Sequence, residues 1–318
     1  MRKSAIAPAQ GGNRCNTRLD YTTSADAVRQ FADAVYRDTG ANIQPIGDGE
    51  VHRFNDIDGK RNNLACWYVL HLNGCPAGAY GSWRTGYQFT WRADKNMRVN
   101  KEERERMNAA VKASRAKRKN DTAQAQAHTA GRAQALWRDA LPATVSQPYL
   151  KSKRIPGLSL RQAGNVLLVP LHDIGGELVN LQTINPAGTK RFLKGGRIIG
   201  CFALTGAHII PEDGELYIAE GFATAATVAS TLRLPVVAAM NAGNLKHVAL
   251  AIRSKYPRLD IVVAADNDHK IPGNPGITKG MEAAKIVQGT LSFPSVCLAE
   301  DCSCTDYNDT ACCGRLAK

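Results

Sequence analysis

The sequence predicts an α/β protein. A mostly parallel sheet flanked by helices fills the C-terminal third, preceded by a small β-rich hairpin region and an N-terminal α+β domain. Three observations carry this. From residue 213 onward, short apolar runs alternate with helical ones, and the apolar runs are continuous, as strands buried on both faces require. Residues 51–91 instead hold brief β-type runs cut by Gly-, Asn- and Asp-rich turns. Finally, 318 residues with 44% hydrophobic and 22% charged content suffice for two or three cores.

Residues 1–20 read as a disordered leader: basic, with no apolar core of the kind a secretory signal needs. Residues 21–95 read as the small α+β domain. Its helix begins near Tyr21 with Ser24 as a cap, and Gly40 stops it. An antiparallel sheet follows, built on runs such as CWYVLHL. Trp67, Trp83 and Trp91 fall here beside Arg53, Lys60, Arg61, Arg84 and Arg92. Such rings stack bases while guanidinium groups hold phosphates, or they simply form the core of a small sheet; both readings stand.

Residues 96–141 are charged and rich in Ala and Gln without an apolar stripe, which predicts solvated linker helices. The run KASRAKRKN is a wet helix face or a track for a phosphate backbone. Residues 142–212 read as a short helix, then the strands VLLVPL and ELVNLQTI around the turn HDIGG, then the basic glycine-rich loop TKRFLKGG.

In 213–318 the expected order is strand ELYIA, helix FATAATVASTL, strand PVVAAM, helix NLKHVALAIRSKY, strand DIVVAA, helix GITKGMEAAKIVQGTL and strand PSVCLA. Parallel strands share a carboxyl edge, where open α/β sheets bind ligands. Glu220 ends the first of these strands, and Asp266 and Asp268 end the third. Three converging carboxylates repel one another unless protonated or bound to a divalent cation, and hard oxygen donors suit Mg²⁺. The alternative is a polar turn, Asp266–Asn267–Asp268, capping a helix.

Net charge +13 points to an anionic partner, nucleic acid above all. No apolar run is long enough to span a bilayer, so a membrane partner is not expected and the predicted location is cytoplasmic. Nine cysteines are scattered until DCSCTDYNDTACC, where C-x-C and adjacent cysteines lack the usual knuckle spacing. They are read as reduced thiols, with no zinc expected.

These residues carry a family resemblance. LYIAEG, VVAADND and NPGITKGMEAA together resemble a TOPRIM domain, the catalytic core shared by bacterial-type primases, topoisomerases and several nucleases. LLVPLHDIGGELVNLQTINPAGTKRFLKGG, AEGFATAATV and MNAGNL are similar to primases of phages, plasmids and integrative elements, and the N-terminal segment HRF…WYVLHLNG…AGAYGSWRTG often precedes the core in that family. The resemblance covers about Val51–Trp91 and Tyr149–Asp309. It implies a TOPRIM core, with Glu220 as acid/base group or metal ligand and Asp266 and Asp268 as ligands for Mg²⁺ or Mn²⁺. TDYNDT is similar to the motif closing many such domains, making Asp306 and Asp309 secondary metal candidates. Arg191 and Lys194 match a basic strip facing nucleotide or template, unless they are only exposed hairpin charges. Lys279, Trp83 and Arg84 are further nucleotide- or DNA-binding candidates.

The implied activity is that of a DNA primase, a nucleotidyltransferase making short RNA primers on a single-stranded DNA template from nucleoside triphosphates. Two departures bear on it. The N-terminal part has no C-x-x-C zinc domain, and no G-x-x-x-x-G-K-[ST] motif occurs, so a separate replicative helicase is the expected partner. A metal-dependent nuclease on the same core, and a non-catalytic nucleic-acid-binding module, are the competing readings.

Overall fold

The computed structural model describes residues 24–59, 62–72, 76–93, 101–157, 160–295, 297 and 299–315. The expected leader, with Lys60, Arg61 and Cys75, lies outside the described residues. The chain divides into two compact units, Met1–Arg118 and Lys119–Lys318.

In the first unit, α1 (Ser24–Thr39) packs on a four-stranded antiparallel sheet of β1 (His52–Phe54), β2 (Cys66–His71), β3 (Ala77–Ser82) and β4 (Gln88–Arg92), in that order. Alternation along β2 buries Cys66, Tyr68 and Leu70 against Phe31 and Val35 of the helix. The helix seats closely because β3 carries Gly78: a Cβ there would lie 2.6 Å from the Phe31 ring. Trp91 belongs to this core, its ring edge-on to Phe31 at 5.4 Å. Trp67 alternates to the opposite face, where its ring centroid is 6.1 Å from that of Trp83. The tryptophans thus divide between the two alternatives the sequence left open.

The division between units falls inside α2 (Lys101–Asp139). Sequence pattern predicted a solvated helix, and most of it is. Its last turns differ: Ala133 is fully buried against Leu168 and Leu181, and buried Thr129 donates to the Lys194 carbonyl at 3.1 Å. Thr129, Ala133 and Trp137, one turn apart, seat the helix, and a stripe of one small, one polar and one aromatic residue is hard to read as apolar.

The second unit holds two sheets. Strands β5 (Leu141–Pro142), β6 (Arg161–Ala163), β7 (Val166–His172), β8 (Leu178–Ile184) and β9 (Lys190–Phe192) form an antiparallel sheet in sequence order, with α3 (Pro148–Lys153) after β5. The remaining elements are β10 (Ala203–Thr205), β11 (Asp213–Ala219), α4 (Phe222–Leu232), β12 (Val236–Ala238), α5 (Leu245–Lys255), β13 (Arg258–Ala264), α6 (Pro275–Ile286), β14 (Thr290–Ser292) and α7 (Tyr307–Cys312). Their sheet has the order β10-β12-β11-β13-β14, parallel except for β10 at one edge.

Both faces of this sheet are covered, as its continuous apolar strands require. Ala219, Val236 and Ala264 pack with α4 and with Leu167, Val169 and Leu171 of β7. Leu216, Ile218 and Val263 pack with Leu245 and Ile252 of α5 and Ala283 of α6. The fold is the mixed α/β architecture expected.

Two local expectations fail. Helix α6 ends at Ile286 rather than near Leu291, because Gln288 takes φ 53° and Gly289 approaches β13 so closely that a Cβ would lie 2.5 Å from the Ile261 carbonyl. Among the described residues the final strand is therefore TLS; of the expected strand PSVCLA, Val296 and Leu298 lie outside the described residues, and its Pro294 cannot donate to a ladder. The antiparallel edge strand β10 was not anticipated.

Candidate active site

The acidic edge follows from strand register. Ala219 of β11 pairs with Ala264 of β13 and Ala238 of β12, so all three strands end level. Glu220 leaves β11 directly and Asp266 lies two residues beyond β13. Small residues bring α6 close: a Cβ on its Gly280 would lie 2.5 Å from the Ala265 Cβ.

The loop after β13 is built around Asn274 and Gly276. Asn274 caps α6 and accepts the Asp268 N–H at 2.9 Å, while its Nδ2 donates to Asn267 Oδ1 at 2.8 Å. The Asp268 carboxylate accepts the Gly276 N–H at 2.9 Å, at the positive end of the α6 dipole. Any residue larger than glycine at 276 would place its Cβ 2.4 Å from the Asp266 carbonyl oxygen. Asp268 therefore does cap a helix, but only one oxygen is spent in doing so.

Asp266 is the least satisfied group at the site. Its Oδ1 is buried without a hydrogen-bond partner. Burial first, then the fields of Glu220, Asp306, Asp268 and Asp309, push its pKa up to about 8. Glu220 is also raised, by burial and then by Asp268, against an opposing backbone hydrogen bond from Ala242 and the charge of Lys190. All five predicted acids thus share one electrostatic neighbourhood.

They do not share one role. Asp306 caps α7, accepting the Asp309 N–H at 2.7 Å. Asp309 pairs with Lys153 at 3.0 Å. Asp306 spends one oxygen on its cap, as Asp268 does, and Asp309 is engaged by Lys153, whereas Glu220, Asp266 and Asp268 lie directly at or just beyond the strand ends. A hard divalent cation fits that set, because it relieves the repulsion and completes the orphaned oxygen of Asp266. The three carboxylates are spread wider than a closed cage: among the described residues, the group of donors lying within 4.8 Å of one another is Cys297, Cys302 and Cys313. An open shell of this kind leaves room for water and phosphate oxygens, as Mg²⁺ prefers.

The other predicted residues are distributed differently. Arg191 and Lys194 are exposed on and after β9. Lys279 pairs with Glu282 on its own helix at 3.1 Å. In the first unit, Arg84 is held by Asp56 at 2.8 Å, whereas Arg53 lies over the Trp83 ring at 4.5 Å. The cation beside the half-exposed tryptophan is therefore Arg53.

Sequence reasoning missed Lys190, which sits 5.7 Å over the Tyr149 ring and whose charge reaches Glu220. Period-two alternation in TKRF separates Lys190 from Arg191 and was the available signal. It also missed the Ala242 N–H, although MNAGN was noted. A cavity of about 450 Å³ lined by His172, Asp173, Phe202 and Tyr256 includes none of the acids and is separate from this edge.

Comparison with known proteins agrees with the geometry. Residues 215–314 match the model of the Toprim domain. Two proteins of Escherichia coli named DNA primase TraC are 37% and 35% identical over 278 and 274 residues. These alignments take in 85% and 83% of this chain but 26% and 19% of the relatives, so the chain spans about a quarter of their length or less. Among solved structures, the primase fragment of the bacteriophage T7 primase–helicase protein superposes with a TM-score of 0.40 at 17% identity, over 51% of this chain and 68% of that one, too slight a likeness to carry an argument. The acidic edge belongs to a Toprim domain, in a chain similar over most of its length to the TraC primases.

Proposed function

We propose that this chain is the catalytic part of a DNA primase, joining ribonucleotides on a single-stranded DNA template. The observation that carries the reading is the partly buried Glu220–Asp266–Asp268 edge, with its orphaned carboxylate oxygen, in a Toprim domain of a TraC-like chain.

In this reading Asp266 and Asp268 hold Mg²⁺ or Mn²⁺, which supplies charge neutralisation at the reacting phosphates. Asp268 is oriented by the Gly276 N–H, and Asp266 is held between β13 and α6. Glu220, raised by burial and by Asp268, takes the proton of the attacking 3′-hydroxyl. A 3′-oxygen-to-phosphorus bond forms and the bond to pyrophosphate breaks. Lys190 and the exposed Arg191 and Lys194 bind triphosphate or template. Arg53 and Trp83 offer a stacking surface for single-stranded DNA.

The test incubates the protein with single-stranded circular DNA, Mg²⁺ and labelled ribonucleotides, beside Asp266→Ala. Short oligonucleotides that vanish in the variant are expected. Shortened template without nucleotides would make it a nuclease; salt-sensitive, metal-independent binding without turnover would make it a binding module.

A further inference from the structure

Cys302, Cys304 and Cys313 of DCSCTDYNDTACC come together with the more distant Cys297 at the C-terminal end of the fold. Cys297 follows β14, Cys302 and Cys304 sit on the next loop, and Cys313 follows α7. The Sγ atoms of Cys297, Cys302 and Cys313 all lie within 4.8 Å of one another. Cys302 Sγ is 3.1 Å from Cys304 Sγ and 3.9 Å from Cys313 Sγ. Cys297, Cys302 and Cys304 are buried and pack as a small cluster with Ala299 and Cys313.

These spacings decide between three chemistries. A disulfide needs sulfurs about 2.05 Å apart, and no pair reaches that. Four thiolates around one zinc at about 2.3 Å lie about 3.8 Å apart along a tetrahedron's edges; Cys302 and Cys313 at 3.9 Å match this, the Cys297–Cys302–Cys313 trio lies within 4.8 Å, and Cys304 adjoins that trio 3.1 Å from Cys302. A multi-iron cluster puts its thiolates on different irons and spreads them further. Cys312, next in sequence to Cys313, is turned away and contacts the Lys153 carbonyl. The adjacent pair therefore contributes one donor, which is why the sequence hid the pattern.

We infer that Cys297, Cys302, Cys304 and Cys313 form a structural zinc site that fastens the C-terminal segment to the acidic loop. The segment they would hold carries that loop. The Thr305 carbonyl accepts the Asn267 N–H at 2.6 Å, and the Pro294 carbonyl accepts Asn267 Nδ2 at 3.2 Å. Lys270 donates to the carbonyls of Glu300 and Cys302 at 2.7 and 2.6 Å. Asn267 stands between Asp266 and Asp268, so the thiolate site braces both. A four-thiolate zinc centre is closed, so it takes no part in chemistry and carries a net negative charge that Lys270 and Arg315 offset. The inference does not depend on the primase reading, because its readouts require no activity.

The experiment measures metal in chain purified without chelators, by mass spectrometry of the acid-released ions, and repeats the measurement on Cys313→Ser and Cys312→Ser. One zinc per chain in the wild type and in Cys312→Ser, with loss in Cys313→Ser, is expected. Should Cys313→Ser fail to fold, cobalt exchange into the wild type decides instead: tetrahedral visible bands with thiolate charge transfer support the site. Wild type without zinc that also gives no such cobalt spectrum overturns it. So does a disulfide among these cysteines in the native protein, a bound iron–sulfur chromophore, or zinc that Cys313→Ser retains in full.

Discussion

Glu220 and Asp266 stand at the ends of neighbouring parallel strands, and burial works against the ionised form of both. The Glu220 charge raises Asp266, whose pKa reaches about 8, whereas Glu220 itself feels burial and the charge of Asp268. Asp266 therefore keeps its proton at neutral pH. Without a cation the edge carries a neutral acid at its centre.

Asp266→Asn stabilises the metal-free protein. The folded-state pKa of about 8 lies above the ordinary 3.8, so stability is full below the ordinary value and is lost as pH rises toward 8. Asparagine does not ionise and removes that loss, by about 2 kcal/mol or more near pH 8 and by almost nothing near pH 4. Thermal melts in chelator at the two pH values check this; a gain that is the same at both would refute the buried-acid account.

On the proposed primase reading, Glu220→Gln and Asp268→Asn each lower primer synthesis by roughly a hundredfold or more, as loss of a proton acceptor or a metal ligand does. Template affinity stays near wild type. Gel quantification and fluorescence anisotropy separate the two effects.

Gly276→Ala puts a methyl group 2.4 Å from the Asp266 carbonyl. Relief requires the loop to move, at a cost of about 1–3 kcal/mol. Urea denaturation should show the loss, accompanied by weaker Mn²⁺ binding; unchanged binding would mean the loop tolerates displacement.

Trp83→Ala and Arg53→Ala weaken single-stranded DNA binding at least about fivefold, since one stacked base is worth ~1–3 kcal/mol. Arg84→Ala acts otherwise: it breaks the pair with Asp56 and lowers the melting temperature of the first unit, with a smaller effect on DNA. Binding isotherms and melts on the three variants distinguish recognition from support.

Lys190→Ala raises the nucleotide KM several-fold more than Lys279→Ala, because Lys190 lies within reach of Glu220 while Lys279 is occupied by Glu282. Steady-state kinetics over nucleotide concentration measures the difference.

Much of the acidic edge was legible because its information is local. An apolar run ending at Glu220, and another ending near Asp266 and Asp268, imply parallel strands whose carboxyl ends meet. Arg84 and Lys279 mark the limit of that local information: a charge in sequence does not disclose that Asp56 or Glu282 pairs with it. Lys190 was passed over for Arg191, although a strand sends neighbouring side chains to opposite faces.

By itself, then, the sequence determined the alternation of buried strands and helices, the parallel core and the three acids at its edge, since each follows from the period or termination of a short segment. Tertiary structure decided what depends on approach between distant segments. It alone buried the Asp266 oxygen, separated Asp306 and Asp309 as cap and ion pair, divided the tryptophans between core and surface, and gathered Cys297 with Cys302, Cys304 and Cys313. Burial and the distance between side chains far apart in sequence are properties of packing, and no local pattern encodes them.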